Sequence, residues 1–210
     1  MAIHPLDGVI HAPEFPTDLD WLNTDRAFTL ADLNGKIVLI DFWTYCCINC
    51  MHVLPELKRL EQKYPSELVV IGVHSAKFTT EKETSAIEQA IQRYEIDHPV
   101  VNDCDFEIWK AYNIHAWPSF MLINPTGRIV GTHSGEGIYP LFDPLISKLI
   151  AHFDKKNALN PAQIKIGRST TPHQTLSFPG KIHAANDQLF IADTNHNRVI
   201  ITDLNGHIQD

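Results

Sequence analysis

The sequence lacks basic clusters and long apolar stretches. Its 17 Lys and Arg residues are outnumbered by 25 Asp and Glu residues, which gives a formal net charge of −8. This acidic balance disfavours nucleic acid and anionic lipid surfaces as partners. The longest apolar stretches, such as residues 37–40 and 68–73, have the length of strands and are far too short to span a bilayer. We therefore expect neither nucleic acid nor a membrane among the partners.

Cysteine is also scarce, with four residues in a chain of 210. So few cysteines do not make a disulfide scaffold, and they predict a reducing compartment and a cytoplasmic location. Residues 1–7 do not combine a basic start with an apolar core, so we expect no signal peptide. An apolar fraction of 44% excludes wholesale disorder, and the length allows one large domain or one domain with a fragment of another.

Strand and helix patterns alternate after an extended lead-in at residues 1–27. Apolar runs predict strands at 37–43 and 68–73, both buried on two faces. Further strands are predicted at 99–101, 118–123 and 128–132, and helices at about 47–64, 80–94, 106–112 and 141–153. This order predicts an α/β fold with a mixed central sheet flanked by helices, which we assign to residues 1–153.

The pattern changes after residue 153. Residues 154–176 are rich in Asn, Pro, Ser and Thr and show little periodicity, so they predict a linker. Residues 177–210 carry only short strand patterns, at 181–184, 189–193 and 199–203, followed by an Asn-Gly turn towards a fourth strand. The chain is therefore predicted to end in a second, incomplete unit.

Three of the four cysteines lie within the five residues Cys46-Cys47-Ile48-Asn49-Cys50. Cys47 stands at the predicted start of a helix, where free backbone N–H groups and the helix dipole favour a thiolate. Cys50 lies one turn further, within disulfide reach, so the pair can attack a disulfide and resolve the mixed disulfide. The alternatives are a structural metal knuckle, for which a second cysteine pair is missing, or two incidental buried thiols.

Several separated motifs accompany this pair. They are the segment 28–39, read as a lead-in hairpin, the segment 41–50, Pro55, Trp117-Pro118-Ser119 and the helical insert at 80–94. Together they resemble the TlpA/DipZ-like branch of the thioredoxin superfamily over about residues 28–153. The resemblance implies a thioredoxin-like fold and a thiol–disulfide oxidoreductase without cofactor or metal. Its substrate would be a disulfide-containing protein or a small thiol compound.

The resemblance also implies the catalytic roles. Cys47 would be the nucleophile and Cys50 the resolving thiol. Asp41 matches a buried acid beneath the disulfide, whose pKa burial would raise so that it takes a proton from Cys50. The alternative for Asp41 is a carboxylate at a strand end that accepts a backbone hydrogen bond.

Three further residues are implied to bind the substrate or shelter the thiols. Trp43 would cover the cysteines, although an aromatic residue at this position also suits the core. Pro118 would follow Trp117 through a cis bond and leave the preceding carbonyl free to pair with an extended substrate. The alternative for Pro118 is an ordinary trans proline at the start of a strand.

Two neighbouring chemistries share parts of this pattern. Thr44 and Cys47 have the Thr-x-x-Cys spacing of peroxiredoxins, but Ile40 stands where a proline is expected. Cys104 would then serve as a resolving thiol, or else be an inert one.

A non-catalytic scaffold with vestigial cysteines is the alternative from another class of function.

Cys46 and Cys50 also have the Cys-x-x-x-Cys spacing of copper-carrying Sco-like proteins, with His133 as the candidate third ligand. One histidine among twelve is weak support for such a site. We expect Cys46 to be a small buried apolar residue instead.

The C-terminal strands carry a second motif. Ala192-Asp193-Thr194-Asn195-His196-Asn197-Arg198-Val199 resembles an NHL repeat, the blade unit of a β-propeller, with Asp193 and Arg198 placed to pair. Because a propeller needs several four-stranded blades, the resemblance implies an incomplete blade and a longer protein. A full propeller would offer a surface for a protein partner. The alternative is an unrelated β-meander.

Overall fold

The structure, a computed structural model, describes residues 2–3, 5–164, 166–167 and 175–209. The chain forms two compact units, Met1–Ser169 and Thr170–Asp210. The boundary between the units lies inside the segment predicted as a linker, towards its C-terminal end.

The first unit is built on a seven-stranded sheet with the order β1-β7-β6-β3-β4-β5-β2. The strands are β1 (Ala2–Ile3), β2 (Trp21–Leu22), β3 (Ile37–Trp43), β4 (Leu68–His74), β5 (Val100–Asn102), β6 (Ser119–Ile123) and β7 (Ile129–Ser134). β3 pairs in parallel with β4, and β4 in parallel with β5, whereas β6 and β7 are antiparallel. The predicted mixed sheet is therefore confirmed, with β3 at its centre.

Helices cover both faces of this sheet. They are α1 (Ile48–Lys63), α2 (Thr84–Arg93), α3 (Glu107–Ala111) and α4 (Tyr139–Asp154), with a 3-10 turn at Thr79–Lys82 before α2. Every residue of β3 is buried, and its alternate side chains enter two separate clusters. One cluster includes apolar side chains of α1 and α4, and the other includes apolar side chains of α3 and the N-terminal segment. Among the described residues, no helix is long and apolar enough to cross a membrane.

The N-terminal segment differs from the prediction in two ways. Its two short strands, β1 and β2, extend the sheet at both edges by pairing with β7 and β5. Residues 30–35 form successive turns, so the lead-in hairpin implied by the resemblance is wrong. The physical reason is Asp32, whose carboxylate accepts hydrogen bonds from the Thr29 backbone N–H at 2.8 Å and the Thr29 hydroxyl at 2.7 Å.

Part of the predicted linker belongs to the first unit. Lys36 is buried, and its ammonium donates hydrogen bonds to the carbonyls of Ser66, Ala162 and Asn160. The Asn160 backbone N–H in turn donates to the Gly35 carbonyl at 2.9 Å. Because a buried ammonium needs such acceptors, this segment is a structural part of the first unit, which extends beyond residue 153.

The second unit is a three-stranded antiparallel sheet with the order β10-β9-β8. Its strands are β8 (Pro179–Ala185), β9 (Gln188–Asp193) and β10 (Arg198–Asp203). The Arg198 Nε donates to the buried Asp193 carboxylate at 2.8 Å, which confirms the predicted pairing. The predicted fourth strand amounts to a single bridge between Thr202 and Ile208. The separate sheet is consistent with a partial blade.

Candidate active site

The cysteine pair lies where β3 passes into α1. A turn closed by the Cys47 N–H and the Thr44 carbonyl, 3.0 Å apart, places Cys47 at the N-cap of α1. Cys50 lies in the first turn of the helix and is fully buried, while Cys47 keeps 6% of its surface exposed. Both are free thiols, and their side chains are hydrogen-bonded to each other. The predicted placement between a strand and a helix is confirmed.

Cys50 resists ionisation in this place. Burial is the main cause that raises the pKa of its thiol, and the hydrogen bond with Cys47 and the charge of Asp41 raise it further. A thiol of this kind needs a neighbouring base before it can act as a nucleophile.

Asp41 is a suitable base. It lies at the middle of β3 and is completely buried, and neither carboxylate oxygen has a hydrogen-bond partner among the described residues. Burial is the main cause that raises its pKa to about 7. The charge of His98 lowers this pKa, and the charge of Glu61 raises it. Asp41 therefore exchanges a proton near neutral pH. Its alternative role as an acceptor of a backbone hydrogen bond is not what the structure shows.

Trp43 is a core residue. Its side chain is fully buried in the same apolar cluster as Cys47 and Cys50, and its role in covering the thiols stays a prediction. Its ring meets His74 edge-on, with 5.1 Å between centroids. Burial lowers the pKa of His74 to about 4, which keeps this imidazole neutral at physiological pH.

The Trp117–Pro118 bond is cis, as the resemblance implied. Trp117 packs against the cysteine cluster, and its Nε1 donates to the Ser75 carbonyl at 3.0 Å. Its ring centroid lies 4.3 Å from that of Trp109, with the two rings tilted by 36°, and the Lys77 ammonium lies 5.0 Å from the Trp117 ring centroid. The loop is therefore fixed beside the cysteines, and its substrate-binding role stays a prediction.

Glu81 is a site residue that the sequence did not reveal. It is completely buried, and it accepts hydrogen bonds from the Thr44 hydroxyl and from the Lys77 backbone N–H. Burial raises its pKa, but hydrogen bonds from Cys46, Thr44 and Lys77 outweigh that effect and lower it. A buried carboxylate thus stays charged at the edge of the cysteine loop.

Cys46 was predicted to be buried, and this prediction is wrong. Its side chain is exposed, because the turn that brings Cys47 inward directs the preceding residue to the surface. The hydrogen bond to Glu81 is the main cause that raises the pKa of Cys46 to about 11. Cys46 is therefore held as a neutral thiol beside Cys47.

The metal hypotheses have no support in the geometry. Within residues 5–164, 166–167 and 175–209, no three His, Cys, Asp or Glu side chains gather as metal ligands. His133, the candidate copper ligand, lies on β7 and packs against Phe120 of β6 and Phe142 of α4. It does not join the cysteines.

Residues 34–129 match the family model described as thioredoxin-like. The chain is 46% identical over 192 residues to Protein SUPPRESSOR OF QUENCHING 1 of Arabidopsis thaliana, covering 88% of this chain and 18% of that protein. It is 40% identical over 207 residues to human NHL repeat-containing protein 2, covering 95% and 28%. It is 35% identical over 142 residues to Protein DipZ of Mycobacterium bovis, covering 66% and 20%. The chain thus spans less than a third of the length of these relatives.

Two further proteins are matched along almost their whole length. The chain is 24% identical over 140 residues to the thiol-disulfide oxidoreductase YkuV of Bacillus subtilis, covering 66% of this chain and 93% of that protein. The crystal structure of a thiol-disulfide isomerase from Corynebacterium glutamicum superposes with a TM-score of 0.60 at 25% identity, covering 67% and 97%. The chain therefore belongs to the thioredoxin-like family and is a homologue of NHL repeat-containing protein 2 and of DipZ.

Proposed function

We propose that this protein is a thiol–disulfide oxidoreductase that uses Cys47 and Cys50 as its dithiol. The observation that supports the proposal is the combination of three groups: Cys47 at a helix N-cap, Cys50 in the first turn of that helix, and the buried Asp41, whose charge acts on Cys50. The thiol–disulfide oxidoreductases among the relatives support the same reaction class.

In the reducing direction, the Cys47 thiolate attacks a substrate disulfide. An S–S bond forms between Cys47 and one substrate sulfur, and the other substrate sulfur leaves with the electron pair. Asp41 then takes the proton of Cys50, whose sulfur attacks Cys47 and displaces the second substrate thiolate. Two electrons pass to the substrate, and an external dithiol reductant restores the pair. The oxidising direction is the same sequence reversed.

A protein substrate suits the surface around Cys47. Ile48, the first residue of α1, is 65% exposed directly beside the nucleophile, and Trp117 flanks the pair on the cis-proline loop. An apolar side chain and an aromatic platform at the reacting sulfur favour an extended polypeptide next to the disulfide. A small disulfide compound remains the second substrate class within the proposal.

Peroxidase activity is the less favoured alternative. In peroxiredoxin-like chemistry the Thr44 hydroxyl would orient a peroxide, but here it donates its hydrogen bond to Glu81. A non-catalytic scaffold is the alternative from another class. The buried Asp41 disfavours it, because an unpartnered carboxyl in a core destabilises the fold, and a scaffold gains nothing from that cost.

Turnover of a peptide disulfide with dithiothreitol as the electron donor tests the proposal. Cys47→Ser should abolish turnover, and the neighbouring Cys46→Ser is the matched control that should retain it. Cys50→Ser should accumulate a mixed disulfide at Cys47, identified by mass mapping. An inactive wild type, or a Cys50→Ser variant that traps nothing, would favour the scaffold.

The function of the full-length protein is a further proposal. The three-stranded sheet of the second unit is proposed to begin an NHL propeller, which would bind a protein partner and bring it to the dithiol. The cytoplasmic location stays a prediction from the low cysteine content. Fractionation of cells that produce the full-length protein checks that location.

A further inference from the structure

The segment 75–82, which follows β4 and ends with the 3-10 turn, contacts both loops of the candidate active site. Its Ser75 carbonyl accepts the hydrogen bond from the Trp117 Nε1 at 3.0 Å, which ties the segment to the cis-proline loop. Its Thr80 carbonyl accepts a hydrogen bond from the Tyr45 hydroxyl at 3.2 Å, which ties it to the cysteine loop. The segment therefore forms a third side of the site, next to the two loops that the sequence indicates.

Lys77 places a positive charge on this side of the site. Its side chain is exposed, and its ammonium lies 5.0 Å from the ring centroid of Trp117, which packs against the cluster that contains Cys47. The charge also acts on the cysteine loop. The hydrogen bond to Glu81 is the main cause that raises the pKa of the Cys46 thiol, and the charge of Lys77 opposes this rise. The ammonium is therefore close to both loops.

The Lys77 ammonium is able to bind a carboxylate of another molecule. A cation held over an aromatic face keeps N–H donors that point away from the ring. Among the residues that the structure describes, no carboxylate forms an ion pair with this ammonium, whereas Lys82 on the same segment pairs with Asp105 at 3.2 Å. The Glu81 carboxylate is completely buried, so a substrate cannot touch it. The accessible charge on this side of the site is therefore positive.

We propose that Lys77 is a specificity-determining residue, and that the substrate is an extended polypeptide with an acidic side chain next to its disulfide cysteine. The inference rests on the proposed function, because it names the substrate class of the same dithiol. A substrate sulfur that reacts with Cys47 lies beside Trp117, and successive residues of an extended chain are about 3.3 Å apart. A carboxylate one or two positions from the substrate cysteine is therefore within reach of the Lys77 ammonium, which takes no part in electron or proton transfer.

Oxidation of the reduced protein by peptide disulfides tests this inference. Each substrate consists of two identical short peptides joined through their central cysteines, with Glu, Gln or Lys on both sides of the cysteine. The reaction is quenched with acid, and the released peptide thiol is measured by chromatography. Each rate constant is divided by that of the same peptide with dithiothreitol, which corrects for intrinsic reactivity. All proteins are full chains with Cys46→Ser and Cys104→Ser, so that only the dithiol reacts.

The protein with Lys77 should react about three-fold faster with the Glu peptide than with the Gln peptide, and most slowly with the Lys peptide, as one exposed ion pair allows. Lys77→Gln should remove this order, and Lys77→Glu should reverse it. Both variants keep the backbone N–H that binds Glu81, so the segment stays in place. Lys82→Gln is the matched control and should retain the order, because its charge is already paired with Asp105. About 1 M NaCl should reduce the preference by screening.

Equal corrected rates for the Glu and Gln peptides, or an order that Lys77→Glu leaves unchanged, would overturn the inference. Oxidised glutathione is an acidic disulfide that is too short to extend along the cis-proline loop, so it should react at least about three-fold more slowly than the Glu peptide. An equal rate would assign the site to a small acidic disulfide and overturn the polypeptide substrate. A protein that none of these disulfides oxidises lacks the proposed dithiol function itself, which is a separate outcome.

Discussion

The Thr44 hydroxyl donates a hydrogen bond to the Glu81 carboxylate across 37 positions of sequence. This contact ties the loop before the cysteines to the 3-10 turn before α2. It also places a negative charge beside Cys46, the exposed neighbour of the nucleophile. Two adjacent cysteines are thereby made chemically unequal, because the carboxylate holds Cys46 as a thiol while Cys47 caps a helix.

Glu81→Gln should therefore increase the reactivity of Cys46. The hydrogen bond to the Glu81 carboxylate is the main cause that raises the pKa of Cys46 to about 11, and the charge of Glu81 raises it further. The amide keeps an acceptor for Thr44 but accepts a weaker hydrogen bond from Cys46 and carries no charge. Since one pKa unit is a ten-fold change in thiolate fraction, labelling of Cys46 by iodoacetamide at neutral pH should rise by about ten-fold or more. Mass mapping after brief alkylation measures this. The exposed neighbour Glu83→Gln is the control, and an unchanged Cys46 rate in the Glu81 variant would contradict the prediction.

Asp41 should make the folded protein less stable as the pH rises. Its pKa is raised to about 7 from 3.8, so between these values the folded state holds a proton that the unfolded state has lost. Stability therefore falls as the pH rises towards about 7, and the loss is complete above it. Between pH 5 and pH 8 this group should cost about 2–3 kcal/mol.

Urea denaturation of the reduced protein at both pH values checks this, with Asp41→Asn as the comparison. The variant should lack this component of the pH dependence. The difference between its free energy of unfolding and that of wild type should therefore shift in favour of the variant from pH 5 to pH 8. Asp32→Asn is the control, because the pKa of Asp32 is lowered to about 2 and its stabilisation is already present at pH 5. An equal Asp41→Asn effect at both pH values would show that Asp41 titrates normally.

The site residues that the sequence can bring together are those whose positions follow from local order along the chain. Cys47, Cys50 and Asp41 lie within ten positions, and a strand followed by a helix places them together. Their neighbours Glu81 and His98 come from segments far along the chain, and only the packing of α2 and β5 brings them to the site. One buried histidine among twelve carries no local signal of its surroundings.

The departures in the fold have a similar origin. β1 and β2 contain two residues each, too few to show an alternating pattern, and they exist because β7 and β5 offer edges to pair with. The segment that contacts Lys36 is predicted as a linker because its few apolar residues show no periodicity, although Leu159 and Ile164 pack against the core clusters. Its hydrogen bonds with Lys36 are made by the backbone carbonyls of Asn160 and Ala162, and composition does not record a role that backbone atoms perform.

Lys36→Met tests whether this segment is part of the first unit. Loss of the ammonium removes the donor of three part-buried hydrogen bonds, which should lower the free energy of unfolding by about 1–3 kcal/mol. Trypsin should then cleave after Lys155 or Lys156 much faster than in wild type. Lys58→Met removes an exposed lysine with two surface ion pairs and should cost less than about 1 kcal/mol. Equal stability and equal cleavage rates for the two variants would assign the segment to a free linker.

Removal of residues 177–210 should leave the thiol chemistry of the first unit intact. Cys47, Cys50, Asp41, Glu81 and His98 all lie in the unit Met1–Ser169, and the contacts described for them are made inside it. The rate of Cys47 alkylation and the turnover of a peptide disulfide should stay within about two-fold of the full chain, since the site keeps its burial and its charges. Both rates are measured at equal protein concentrations, and the thermal midpoint of unfolding is measured for each protein alongside. A shortened chain that keeps its midpoint but loses turnover would mean that the strands β8 to β10 contribute directly to the reaction or to substrate binding.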